Sequence, residues 1–207
     1  MADEKKEEQP QATPAAPAGG AAKEAPAKAA HPAPAAPAAP APDPWTGELP
    51  DAVRKAFPGV PIESLVFRGQ NFFIVPKESL LPVANYLKSE SGFNLLADLT
   101  AVDYPKKEKR FEVIYQLYSF PRNERLRVKV PLGDGETIES VVPVWGVADW
   151  LEREAFDMFG IRFEHHPNLR RILLPEEWQG HPLRKDYGIL QQDTRWVQEN
   201  LHIESGQ

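Results

Sequence analysis

The chain has 207 residues, a formal net charge of -6 and no cysteine. An acidic balance offers no basic footprint for nucleic acid. A chain without thiols holds no disulfide, no Cys-ligated iron–sulfur cluster and no Cys nucleophile, and no apolar run approaches the roughly 20 residues of a membrane span.

Residues 1–44 are mostly Ala and Pro, as in HPAPAAPAAPAPDP, with no aromatic, Leu, Ile or Val before Trp45. Such a segment cannot bury enough apolar surface to offset its ordering entropy, so a disordered, PPII-like tail is expected. The opening MADEKKEEQP lacks the apolar stretch of a secretory signal, and no Arg precedes Arg54 as one would in a mitochondrial transit peptide. A soluble cytoplasmic bacterial protein is expected. About 160 residues remain, enough for one core.

Leu49, Val53 and Phe57 recur at four-residue spacing, which predicts a short helix stopped by Pro58-Gly59. SLVFRGQNFFIVP reads as a hairpin turning around Gly69-Gln70-Asn71. Leu80, Ala84 and Leu87 share a helical face, with Pro82 in the first turn and Gly92 as a stop. Three strands follow, over 95–103, 110–120 and 125–132. The last alternates Leu126, Val128 and Val130 with Arg127 and Lys129, the pattern of an antiparallel sheet with one covered face. GDGE (133–136) turns the chain into TIESVV.

A helix is predicted over 144–159. Val144, Val147, Ala148, Leu151, Ala155 and Met158 form one stripe, while Trp145, Trp150, Phe156 and Phe159 lie off it, so burial on two sides is expected. Gly160 is placed to cap it, and IRFEHHP is a short strand. The body of the domain is 45–175. Residues 176–207 show no sustained period and read as an extended arm. Tyr187, Ile189, Leu190, Trp196 and Val197 make that arm apolar enough to lie along another surface.

No Gly-rich nucleotide loop or G-x-S-x-G elbow is present. Glu154 and Asp157 at i,i+3, with His165, His166 and His181, form the strongest metal-ligand set. Without an HExxH or a paired Glu-x-x-His helix, we read these histidines as surface residues. The acids of WLEREAFDMFG (150–160) read as ion-pairing groups. Arg153 can reach Asp157 at i,i+4, and Glu152 or Glu154 can meet Arg170, Arg171, Arg184 or Lys185. Trp145 and Trp150 read as core or interface anchors rather than as a cofactor platform.

The segment from Leu151 to Tyr187 resembles the 30 kDa subunit family of bacterial NADH-quinone oxidoreductase, the C subunit of respiratory complex I. The resemblance is carried by Glu152-Arg153-Glu154, by Asp157, Met158, Phe159 and Gly160, by His166-Pro167, by the run from Leu169 and Arg170 to Leu173, and by Gly180-His181-Pro182-Leu183-Arg184-Lys185-Asp186-Tyr187. FNLLADLTAVDY (93–104) extends it toward the N-terminus. The resemblance implies an α+β fold with a mostly antiparallel or mixed sheet of about five strands and helices packed on it. It implies no catalytic, cofactor or metal centre in this chain, with FMN and iron–sulfur clusters carried by partner subunits. It implies a structural role beside the quinone-site D subunit and the cluster-bearing B and I subunits. That place is the peripheral arm, on the cytoplasmic side of the bacterial inner membrane. There the complex passes electrons from NADH to quinone and couples this to proton translocation. A related subunit of a membrane-bound hydrogenase-type complex is the alternative, with a stand-alone metalloenzyme further off. On this reading the motif residues set the orientation of a docking helix against partner subunits.

Overall fold

The computed structural model describes residues 40–188 and 194–202. The expected disordered tail falls almost wholly outside them. A two-residue strand β1 (Asp43–Pro44) leads into helix α1 (Glu48–Ala56), whose Leu49, Pro50 and Val53 are buried. Strands β2 (Glu63–Phe67) and β3 (Gln70–Ile74) form the expected hairpin. Its turn is Arg68-Gly69, one residue earlier than the sequence reading placed it. Both turn residues have positive φ, 49° and 74°, as a two-residue turn matching strand twist requires.

Helix α2 (Leu80–Ser89) buries Leu80, Val83, Ala84 and Leu87, and Pro82 sits in its first turn, where no N–H is needed. Strands β4 (Leu95–Asp103), β5 (Phe111–Ser119) and β6 (Glu124–Leu132) form an antiparallel meander. β6 also pairs in parallel with β3, giving a six-stranded mixed sheet in the order β1-β2-β3-β6-β5-β4. The sequence reading counted about five strands and missed β1, which is too short to show a period. One face of the sheet carries Leu99, Val113, Tyr115, Leu117, Leu126, Val128 and Val130. These join the buried residues of α1 and α2 in one core cluster. The other face is mixed, with Arg125, Arg127 and Lys129 beside Phe72, Ile114, Tyr118 and Leu95.

A second sheet pairs β7 (Thr137–Glu139) in parallel with β8 (Arg162–Glu164). Helix α3 (Ala148–Phe159) connects them and adds Ala148, Ala155, Met158 and Phe159 to the core. The predicted helix was longer at its start. Residues 141–147 instead make tight turns, with Val144 N and Trp145 N both donating to Val141 O. Trp145 is a core residue there, its indole N–H on Phe93 O at 3.2 Å. Of the off-stripe residues Phe159 is also buried and Phe156 half-buried, but Trp150 is 69% exposed, so burial on the second side is incomplete, and Val147 of the first stripe is 52% exposed. Gly160 closes the helix in the left-handed region (φ 77°), as expected.

The arm departs most from the sequence reading. Residues 176–188 fold in turns against their own domain, and 194–201 form a helix, α4 (Thr194–Leu201). Trp196 of α4 lies edge-on to Trp178, with centroids 5.9 Å apart. A short helix with few apolar positions carries too little periodicity to be read.

Candidate functional site

The motif residues gather around α3, but each acid meets a different environment. Asp157 is fully buried. Its Oδ2 accepts the backbone N–H groups of Ile172, Leu173 and Leu174 at 3.1, 2.8 and 2.9 Å. Its Oδ1 accepts Arg171 Nη1 at 2.6 Å. Burial pushes its pKa up, but the Leu174, Arg171, Leu173 and Ile172 donors together outweigh burial and hold it below the usual carboxylate value. Arg171 then spends its other nitrogen on Trp178 O and Gly180 O, at 2.9 and 3.0 Å.

The predicted Arg153–Asp157 pair is not formed. Arg153 donates to Arg170 O and Arg171 O instead, at 3.1 and 2.9 Å. Arg153 and Asp157 therefore grip consecutive stretches of the same loop through its backbone. A local i,i+4 rule sees only the helix and not the chain folded over it.

Glu152 faces the other way. It is fully buried, with Oε1 accepting Val141 N at 2.7 Å. Its Oε2 has no hydrogen bond and lies 3.9 Å from His166 Nε2. Burial raises its pKa to about 7, against the opposing bonds from Ser140 and Val141 and helped by the Asp149 charge. His166 accepts Asn168 N–H on Nδ1 at 3.0 Å, so its proton sits on Nε2, pointed at Asp149 O, also at 3.0 Å. In place of the expected Arg or Lys, Glu152 meets a backbone amide and the His166 ring. Glu154 is exposed, and among the described residues it makes no ion pair.

The following segment is stitched to α3 and the sheet. His181 Nδ1 donates to Asp157 O at 2.8 Å. Its ring lies where a Cβ on Gly160 would stand, 2.7 Å from such an atom, so only Gly permits the approach. Leu183 N donates to Met158 O at 3.0 Å and Lys185 N to Asp103 Oδ2 at 2.7 Å. Arg184 Nη2 reaches Asp134 at 2.7 Å. Its guanidinium lies 5.1 Å from the Phe111 ring centroid, and Phe111 meets Phe159 edge-on. Asp186 pairs with Arg110 at 2.8 Å, and that contact, before others, lowers its pKa to about 2. Arg110 also forks onto the buried Asp103 at 2.8 and 2.9 Å. Tyr187 packs against Gly180, its ring 2.6 Å from where a Cβ would be. Pro182 is half-buried, while Pro167 and the Arg170 side chain are exposed.

Arg110, Asp103 and Asp134 were missed in the sequence. Arg110 lies 24 residues from Asp134 and 76 from Asp186, and no local pattern announces such pairs. The proposed metal set is not assembled. Glu154 is exposed, Asp157 is saturated by other donors, and His166 and His181 are turned to backbone oxygens. Among the described residues, the one cluster with metal-ligand spacing is Glu139, Glu164 and His165. There the parallel β7–β8 register sets the two carboxylates side by side, with His165 Nδ1 2.9 Å from Glu139.

Residues 73–193 match the family model for the respiratory-chain NADH dehydrogenase 30 kDa subunit, well over half of the chain. The chain belongs to that family. The C subunit of NADH-quinone oxidoreductase from Geotalea uraniireducens is 49% identical over 138 residues, 66% of this chain and 84% of that one. The solved trypsin-resistant fragment (1–134) of Nqo5 is 34% identical with a TM-score of 0.51, covering 58% of this chain and 96% of that one. The C/D subunit of NADH-quinone oxidoreductase from Bdellovibrio bacteriovorus is 49% identical over 119 residues, 58% of this chain and 21% of that longer one. The family span of this 30 kDa-type subunit takes in α3 and all the motif residues of 152–187. No helix among its described residues is long and apolar enough to cross a membrane.

Proposed function

We propose that the chain is a non-catalytic structural subunit in the peripheral arm of an NADH-quinone oxidoreductase, and that it braces the quinone-site D subunit. One observation carries this reading. Arg153, Asp157, Arg171, Arg184 and Asp186 of the family motif, together with Arg110 outside it, are spent on holding residues 165–187 against α3 and the sheet. Asp157 takes four donors, Arg110 reaches three carboxylates, and Arg153 and Arg171 clamp backbone oxygens. Side chains so saturated are organised to set a shape, not to move protons or electrons. The C/D relative supports a place beside the D subunit. FMN and iron–sulfur clusters then belong to other subunits, the B and I subunits among them. The chain then lies on the cytoplasmic side of the inner membrane, held there through a complex that passes electrons from NADH to quinone, coupled to proton translocation.

The test is to remove this chain and return it in tagged form. NADH–quinone electron transfer should disappear and return. The tagged chain should bring down flavin- and iron-bearing subunits, and once separated from them it should hold neither flavin nor metal. A separated chain with stoichiometric iron or zinc, or full electron transfer without it, would overturn the proposal.

A further inference from the structure

The sheet face turned away from the helices carries a second feature that the arm and α3 do not use. Antiparallel pairing sets Arg125 beside Tyr118 and Leu95, and Arg127 beside Gln116, all on that face. With Phe120 and Gln70 these residues line an open cleft of about 910 Å³. In a chain of net charge -6 the cleft is locally positive. Arg125 makes no ion pair among the described residues. Arg127 donates to Gln70 Oε1 at 2.8 Å and Gln116 Oε1 at 3.4 Å. Both acceptors are neutral, so the guanidinium is oriented while its charge stays available. The lining acid, Glu124, already pairs with Arg122 at 2.9 Å. Asp98 stands at the margin, opposite Gln116, and farther along the face Lys129 is paired with Glu112 at 2.9 Å.

The apolar part of the cleft is exposed although large. Phe120 is 64% exposed and Leu95 37%. Phe120 rests edge-on against Tyr118 at 5.0 Å, and the Tyr118 hydroxyl donates to Asn123 Oδ1 at 2.6 Å. A fixed aromatic pair beside preoriented arginines is the composition of an interface hot spot. The cleft is too open to enclose a small ligand, which would need most of its surface covered.

We propose that this cleft receives an acidic, extended segment of a neighbouring protein subunit, with carboxylates on Arg125 and Arg127 and an apolar side chain against Leu95, Tyr118 and Phe120. This rests on the reading of the chain as a subunit of a larger complex. Carboxylates fit the planar Arg fork in two-point contact, and an apolar anchor between them fixes register.

The test uses the intact complex. A photoreactive p-benzoylphenylalanine is placed at position 120, the complex is purified and irradiated, and the cross-linked peptide is identified. The expected product is a peptide from another subunit, with at least two Asp or Glu near the cross-link. Cross-linking to a neutral or basic peptide, to lipid, or to nothing in a complex that contains this chain would overturn the proposal and leave the subunit reading intact. Failure of the wild-type chain to enter any complex would instead overturn the subunit reading. In parallel, Arg125→Glu with Arg127→Glu should lower the melting point of the separate chain by a few degrees at most, since Arg125 is exposed and Arg127 bonds only two neutral amide oxygens. It should weaken retention in the complex ~10- to 100-fold. Reversing the cross-linked acids to Lys should restore it. Unchanged retention, or no rescue, also counts against the cleft.

Discussion

Replacing Asp157 is the sharpest test of how the motif works. The carboxylate is fully buried and gathers three backbone N–H groups and one guanidinium. In Asp157→Ala, Arg171 loses its counterion while only 13% exposed. Removing one partner of a buried pair costs about 3–5 kcal/mol, and each orphaned N–H adds about 1–3 kcal/mol where the loop cannot relax. The loop will relax in part, so we expect a loss of about 4 kcal/mol, a large share of a domain's usual ~5–15 kcal/mol. Asp157→Asn keeps an oxygen for the amides but loses the charge, and should cost about 2 kcal/mol. Because the folded pKa lies below the unfolded one, this contribution is present above the usual carboxylate pKa and fades as pH falls through the depressed folded value. Urea titration at pH 7 reads the cost. Trypsin, which cuts after Arg170 and Arg171, reads the local opening. A loss below about 1 kcal/mol, with unaltered cleavage, would refute the view that Asp157 holds the 170–174 loop.

Four further changes probe the same region. Glu152 has the opposite sign: its folded pKa is raised from 4.5 to about 7, so its contribution is full below 4.5 and is lost as pH rises toward 7. The loss is on the order of 3 kcal/mol. Glu152→Gln should flatten stability over that interval, and a melting curve that keeps the wild-type slope would contradict the assignment. Gly160→Ala adds both a left-handed strain and a clash with His181 and should cost about 2–3 kcal/mol. Adding His181→Ala should recover the clash but not the strain, which a double-mutant cycle measures. Arg110→Ala strips the buried Asp103 of both its guanidinium bonds and should cost about 3 kcal/mol, with faster proteolysis after Arg184 and Lys185. Glu154→Arg, on an exposed side chain, should leave the melting point within error yet reduce co-purification of the chain with its complex. Normal assembly would remove Glu154 from any docking role.

The sheet and helices were legible because burial imposed a period on them. β6 shows this best: Leu126, Val128, Val130 and Leu132 are buried, with partly exposed residues between them, and the alternation is visible in the letters. α2 reads equally well through Leu80, Ala84 and Leu87. The site was legible as a list and not as an arrangement. The motif names Glu152, Arg153, Asp157, His166, His181 and Arg184, but nothing in their spacing says that Arg153 bonds carbonyls of 170–171 or that Asp157 collects amides of 172–174. Those bonds are made by backbone, which is the same in every residue. The arm was misread for a related reason. Its order comes from long-range bonds such as Lys185 N to Asp103, 82 residues apart, and such order leaves no local period.

The three acids of α3 show how one helix turns similar residues into different devices. At about 100° per residue, Glu154 and Asp157 stand roughly 200° and 140° around the axis from Glu152. Glu152 therefore meets the β7 side and His166, is desolvated without a cation, and has its proton affinity raised. Asp157 meets the 171–174 loop, gains donors enough to overcome the same desolvation, and has its affinity lowered. Glu154 is exposed, on a helix that also exposes Trp150, and makes no ion pair among the described residues. Two of the three side chains are thus buried within the subunit, one of them at a cost when charged. Of the trio only Glu154 is exposed, so the expectation of partner docking that the sequence spread over all three acids is left to be tested at that one side chain.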